Sequence, residues 1–178
     1  MICGKIVKMS FYHYQVRVGL KSVTEEAAFG YDLTILFATA FQLAVEELHV
    51  ELAKIGFDDV RPSHGFIFQR ISHGGATGME IADHMGITKQ AASMTIDYLE
   101  EHGYVCRKPH PSDRRGKLVV LTEQGWQCIR ATERIFTSIE KRWYNVLGDE
   151  KVQALRSDMQ GLVRTFPNAR SGVFRPVW

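Results

Sequence analysis

The stretch from Thr77 to Leu121, TGMEIADHMGITKQAASMTIDYLEEHGYVCRKPHPSDRRGKLVVL, leaves the chain few ways to fold. Thr77 and Glu80 have the spacing of a capping box, in which the glutamate reaches back to the helix start. A short helix follows, with Ile81, Ala82 and Met85 on one side. Gly86 breaks it, because glycine takes the left-handed conformation that a tight turn needs. Thr88 caps a second helix, whose apolar side is Ala92, Ile96 and Leu99 at helical spacing. Gly103 ends that helix. Two helices joined by a tight glycine turn form a helix-turn-helix pattern, which would place the second helix in a DNA major groove.

The rest of the stretch predicts a hairpin. Tyr104, Val105, Cys106 and Arg107 read as one strand, and Leu118, Val119, Val120 and Leu121 as its partner. Between them lies KPHPSDRRGK, where Pro109 and Pro111 are expected to stop the ladder. From Arg107 to Lys117 there are five Lys/Arg against one acid, Asp113, a net +4 in eleven residues. A basic loop beside a helix-turn-helix is a wing, suited to phosphate and minor-groove contact.

These features together resemble the winged helix of the MarR family of bacterial transcriptional regulators. The wing carries that family's D-x-R-x-K pattern as Asp113, Arg115 and Lys117, and the L-T-x-x-G that follows is Leu121, Thr122 and Gly125. The match is close over about Pro62 to Gly125, and several spaced motifs agree at once. The resemblance implies a homodimer whose terminal helices interlock, with two winged helices splayed below. It also implies a regulator of transcription, more often a repressor, on double-stranded DNA. A two-fold dimer predicts a near-palindromic operator with half-sites about 10 base pairs apart.

The fold class expected is mainly α with a small β-hairpin wing: a winged helix-turn-helix flanked by long dimerisation helices. The domain reading has five parts. Residues 1–22 form an N-terminal extension without sustained periodicity. Residues 23–60 form an N-terminal dimerisation helix region, residues 61–121 the DNA-binding domain, residues 122–166 C-terminal dimerisation helices, and residues 167–178 a tail. Leu33, Leu36, Phe37, Ala40, Phe41, Ala44, Leu48 and Leu52 recur at threes and fours, and Gly56 ends that helix. Pro62 suits the first turn of the next helix, with Phe66, Ile67 and Ile71 on its apolar side. His73, Gly74 and Gly75 read as a turn, and Ala76 as a minimal strand beside the wing. Thr122 is expected to cap a long helix to about Leu147, and Asp149 to cap the last one. One small domain cannot bury every large apolar group on these helices, and symmetric dimers are the commonest solution.

Composition sets looser bounds. The chain has 178 residues and a formal net charge of +2, so the whole-chain balance alone would not suggest nucleic acid; the local basic loop does. Three cysteines, Cys3, Cys106 and Cys128, are sparse and odd in number, which fits a reducing cytoplasm. No uninterrupted apolar run reaches membrane-spanning length, and no signal peptide is read.

The candidate DNA-binding residues are Thr88, Lys89, Gln90 and Ser93 on the second helix, and Asp113, Arg114, Arg115 and Lys117 in the wing. Gln90 can pair bidentately with adenine, and Lys89 can reach guanine or phosphate. Thr88 reads first as a structural cap. Ser93 permits close approach. The resemblance and a place near the tip make Arg115 the minor-groove residue, held by Asp113, with Arg114 and Lys117 on phosphates. The plainer readings are a solvated helix face and an exposed hairpin-stabilising pair, worth about 0–1 kcal/mol. Met94 and Tyr98 depart from the family's frequent Arg or Lys. Asp97 is expected to pair with a basic neighbour.

Other chemistries find less support. His102, Cys106 and His110 lie four apart with His84 near, but the spacing fits no closed zinc pattern. Cys106 sits beside Arg107 and Lys108, yet it and Cys128 read first as structural thiols. There is no nucleophile elbow, P-loop, H-E-x-x-H or dinucleotide fingerprint, so neither an enzyme nor a cofactor is expected. Phe29, Tyr31, Phe37, Phe41, Phe66 and Phe68 are candidates to line a pocket for a small-molecule effector, with a plain core as the alternative. A winged helix serving protein interaction and a metal- or redox-sensing regulator stay open as alternatives.

Overall fold

The computed structural model describes residues 32–113 and 116–166. The readings placed on residues 1–31, including Cys3, Phe29 and Tyr31, on Arg114 and Arg115, and on 167–178 lie outside the described residues. The chain divides into two compact units, Met1–Thr39 and Ala40–Trp178. The described part of the first unit is the opening of helix α1 (Asp32–Lys54). Asp32 sits in its first turn, where an acid suits the positive end of the helix dipole. Leu33 and Leu36 are exposed there.

In the second unit α1 runs on to Lys54. Then follow α2 (Pro62–Ile71), α3 (Gly78–Met85), α4 (Lys89–Glu101), strands β1 (Val105–Pro109) and β2 (Lys117–Leu121), α5 (Glu123–Leu147) and α6 (Asp149–Thr165). The strands pair antiparallel, from Val105 opposite Leu121 to Pro109 opposite Lys117. Mainly helical architecture with one small hairpin is the expected class. By length and composition alone, α1 is long and apolar enough to cross a membrane, although Gln42, Glu46 and Glu47 interrupt its apolar run. One side of it, Leu48 and Leu52, lies in the core, and Glu46, Glu47 and Glu51 share the same turns.

The core is one cluster. Leu48 and Leu52 of α1, Ile67, Phe68 and Ile71 of α2, Ile81 and Met85 of α3, and Ala92, Ile96 and Leu99 of α4 meet Val105 and Val119 of the hairpin and Cys128 and Ala131 of α5. In α3 and α4 the apolar spacings read from the sequence are therefore core faces. Three of the expected N-terminal caps form, those of Thr77, Thr88 and Thr122. Thr77 Oγ1 accepts from Glu80 N while Glu80 Oε2 accepts from Thr77 N at 2.7 Å. Thr88 accepts from Ala91 N, and Thr122 from Gly125 N. Gly86 takes φ 66° between α3 and α4, a conformation that side chains disfavour. Gly125 lies against the Tyr104 carbonyl and Leu121, where an added Cβ would clash, and this gives the L-T-x-x-G pattern its physical reason. Ala76 forms an antiparallel bridge with Val119, so the minimal third strand is present.

Two local expectations change. Pro109 does not stop the ladder; it is the last residue of β1. His110 N donates to Gly116 O, so the flanking pair is the hydrogen-bonded one. Pro109 falls at the alternate position, whose N–H would point away from β2, and its missing donor costs the ladder nothing. Asp149 is the first residue of α6, not its cap. Gly148 ends α5 and begins α6 with no side-chain cap, and Asp149 adds acid to the first turn.

Candidate nucleic-acid interface

The outward side of α4 follows from its buried side. With Ala92, Ile96 and Leu99 inside, Lys89, Gln90, Ser93, Met94 and Asp97 are exposed. Thr88 is also exposed, with its hydroxyl engaged as the cap. The helix is oriented from below by α2 and α3. Arg70 of α2 donates to Glu80 Oε1 at 2.9 Å and lies 3.4 Å from the Gly75 carbonyl. The Thr77 backbone N–H, followed by its hydroxyl, holds the Glu80 carboxyl below its usual range, with Arg70 helping.

Asp97 pairs with Arg107, as a basic neighbour was expected to do. Arg107 also binds Glu100 through its guanidinium, and its backbone N–H donates to Glu100 Oε1 at 2.9 Å. This corrects the charge count of the wing. Arg107 belongs to a clamp that fastens the base of the hairpin beside the outward side of α4, and its charge is matched locally by two carboxylates. Lys108 and Lys117 are exposed on the strands. Asp113 sits in the exposed loop. There His110 Nδ1 accepts from Asp113 N at 3.1 Å, and Gly116 N donates to Asp113 O. Thr88, Lys89, Gln90 and Ser93 are thus gathered on one helix start. Asp113 and Lys117 lie on the hairpin. Arg114 and Arg115, between them, lie outside the described residues.

Several residues organise this region without a motif that would mark that role in the sequence. Tyr98, noted only for not being basic, turns away from the outward side. Its hydroxyl donates to the Asp59 carbonyl at 3.0 Å, His102 stacks on its ring at 3.9 Å, and the Arg61 guanidinium lies over it. Tyr104 is fully buried and donates to Asp59 Oδ1 at 2.5 Å. Burial, aided by the Asp59 carboxylate, raises its phenol well above the ordinary range. His64 is 3% exposed, and its Nδ1 accepts from Arg61 N at the start of α2. Burial, followed by the charge of Arg61, pushes its pKa down to about 4. Partners near and beyond 40 positions away leave no local signal in the sequence.

The histidines and cysteines weighed for metal or redox chemistry do other work. His102 is stacked, and His110 shapes the wing loop. Among the described residues, no group of three or more His, Cys, Asp or Glu is placed to hold a metal. Cys128 is buried, and that burial pushes its thiol up to about 11. Cys106 is half-buried.

A cavity of about 500 Å³ opens beneath the winged helix, between α1, α2 and α5. Phe41, Phe66 and Phe68 line it, as expected; Phe37 lies in the other unit. His49, Arg61 and Glu133 add polar groups to its wall.

Comparison with known proteins agrees with this geometry. Residues 60–116 match the model of the MarR family. An uncharacterised HTH-type transcriptional regulator of Bacillus subtilis, YfiV, is 30% identical over 99 residues, 56% of this chain and 62% of YfiV. The chain thus spans less than two thirds of that relative. MarR from E. coli, in its apo form, superposes with a TM-score of 0.60 at 22% identity, over 77% of this chain and 98% of that one. The transcriptional repressor CouR, bound to a 23-mer DNA duplex, superposes with a TM-score of 0.58 at 23% identity, over 78% and 99%. Family match, shared fold and the capped winged helix coincide on the same residues: over 60–116 the chain is similar to the MarR family, and it shares the fold of MarR.

Proposed function

We propose that this protein is a homodimeric, non-enzymatic regulator of transcription that binds double-stranded DNA as a repressor. The observation that carries the reading is the start of α4. Lys89, Gln90 and Ser93 point outward there, beside a basic hairpin that the Asp97–Arg107–Glu100 clamp fixes in place. In this reading α4 enters the major groove, with Gln90 on adenine and Lys89 on guanine or phosphate. Thr88 and Ser93 border the backbone. Arg114 and Lys117 meet phosphates, and Arg115, held by Asp113, enters the minor groove. The likeness to a repressor bound to duplex DNA supports the choice of partner and sign.

Dimerisation is supported by what the helices leave uncovered. Trp143, Val146 and Leu147 of α5, Leu155, Leu162 and Val163 of α6 and Phe166 just after it are all exposed in the single chain. A second copy would bury them by two-fold symmetry and set two winged helices about one DNA turn apart. The cavity under the winged helix would hold a small-molecule effector. Such a ligand changes DNA affinity only through unequal binding to the two spacings of the recognition helices. We place the protein in the cytoplasm, where its target lies.

Titration of a labelled duplex pool at low and moderate salt tests this, with Gln90→Ala and Arg115→Ala alongside. The expected result is retention of sequences with two-fold half-sites, weakened by both substitutions. Binding of no duplex above background at low salt would contradict it.

A further inference from the structure

We propose that Met94 reads a thymine methyl group in the major groove and so sets part of the operator sequence. The inference rests on the DNA-binding reading above. A single exposed methionine is ordinary on a protein surface; its location here is not. Met94 is 67% exposed, and the helical repeat puts it almost opposite the buried Ala92, Ile96 and Leu99. It therefore occupies the middle of the outward side of α4, one turn after Gln90. Ser93 beside it is small and leaves the thioether room to approach.

The charges nearby decide which part of α4 meets DNA. Asp97, Glu100 and Glu101 occupy its C-terminal half, and Arg107 engages the first two. Carboxylates repel phosphate, so the helix enters by its N-terminal turns, which carry Lys89. On those turns Met94 is the large apolar group directed outward. A charged or amide side chain there would ask for a hydrogen bond from a base edge. A thioether asks for an apolar contact, and the apolar feature on the major-groove edge is the C5-methyl of thymine. Methionine is unbranched and adapts its shape to such a contact. Together with Gln90, whose amide matches adenine, this biases each half-site toward A·T pairs.

The experiment uses the full chain and the duplex retained from the pool. Each thymine is replaced singly by deoxyuridine, which keeps the pairing and removes only the methyl. The expected result is one thymine per half-site at which binding weakens roughly four-fold, the scale of one buried methyl. Met94→Ala should flatten the scan at that position while leaving the fold intact, and Met94→Leu should preserve it. A flat scan for the wild-type chain on a bound duplex would overturn this inference and leave DNA binding standing. A loss that persists in Met94→Ala would overturn it too. Failure to bind any duplex would remove the DNA-binding reading itself, and this proposal with it.

Discussion

The helix-turn-helix and the two C-terminal helices are built from similar amphipathic patterns, yet they end in opposite conditions. In α3 and α4 every core-spaced apolar residue the sequence marks is buried: Ile81, Ala82 and Met85, then Ala92, Ile96 and Leu99. Both N-termini are capped by threonine. In α6 Val152 is buried, while Leu155, Leu162 and Val163, and Phe166 just after the helix, are exposed; at the end of α5 Val146 is 82% exposed. The first region is satisfied within one chain. The second has an apolar side that no described residue of its unit covers. The same periodicity can therefore serve an internal core or an interface, and only the surrounding fold tells them apart.

The largest effect should come from cutting the satisfied region. Leu99 is fully buried in the core cluster, so Leu99→Ala leaves a void there and is expected to cost about 2–5 kcal/mol in denaturant unfolding. Leu162→Ala on α6 should cost far less in the same assay at a concentration that keeps the protein monomeric, and should shift the monomer–dimer balance in sedimentation. Equal costs for the two would erase the contrast.

Acid should act next. Buried His64 has a pKa of about 4 in the folded chain against 6.5 when free. The unfolded chain therefore binds more protons between these values. The histidine's contribution is fully present above pH 6.5 and is lost as pH falls to 4, about 3 kcal/mol in all. His49, lowered mainly by burial, acts in the same direction. Unfolding followed by circular dichroism should show this slope, and His64→Gln, which keeps an acceptor for Arg61 N, should flatten it. A smaller effect is expected at the cap: Thr77→Ala removes one acceptor and should cost about 1 kcal/mol. A cost near zero would mean that Arg70 and Glu80 hold the start of α3 without it.

What was legible in the sequence was local. The capping box of Thr77 and Glu80, the turn at Gly86 and the T-x-x-G start of α5 all close within four residues, so their spacing announces them. The outward set Lys89, Gln90 and Ser93 followed from the buried set by periodicity alone. The joints between elements did not show. Arg107 reads as one more wing cation until Asp97 and Glu100 are brought to it by the fold. Asp59 looks like loop filler until Tyr98 and Tyr104 arrive from 39 and 45 positions away. Pro109 reads as a breaker because its effect depends on which way its missing N–H points, a matter of register that composition does not carry.

The distinction between Arg107 as a clamp and Lys117 as a phosphate ligand leads to the most direct measurement. Duplex affinity would be followed against salt concentration for the wild-type chain, Lys117→Ala and Arg107→Ala. The wild-type logarithmic plot should fall linearly. Lys117→Ala should make it shallower by about 0.9 for each lysine removed, and Arg107→Ala should leave its slope unchanged. Affinity that ignores salt, or a slope that changes with Arg107 and not with Lys117, would contradict the account.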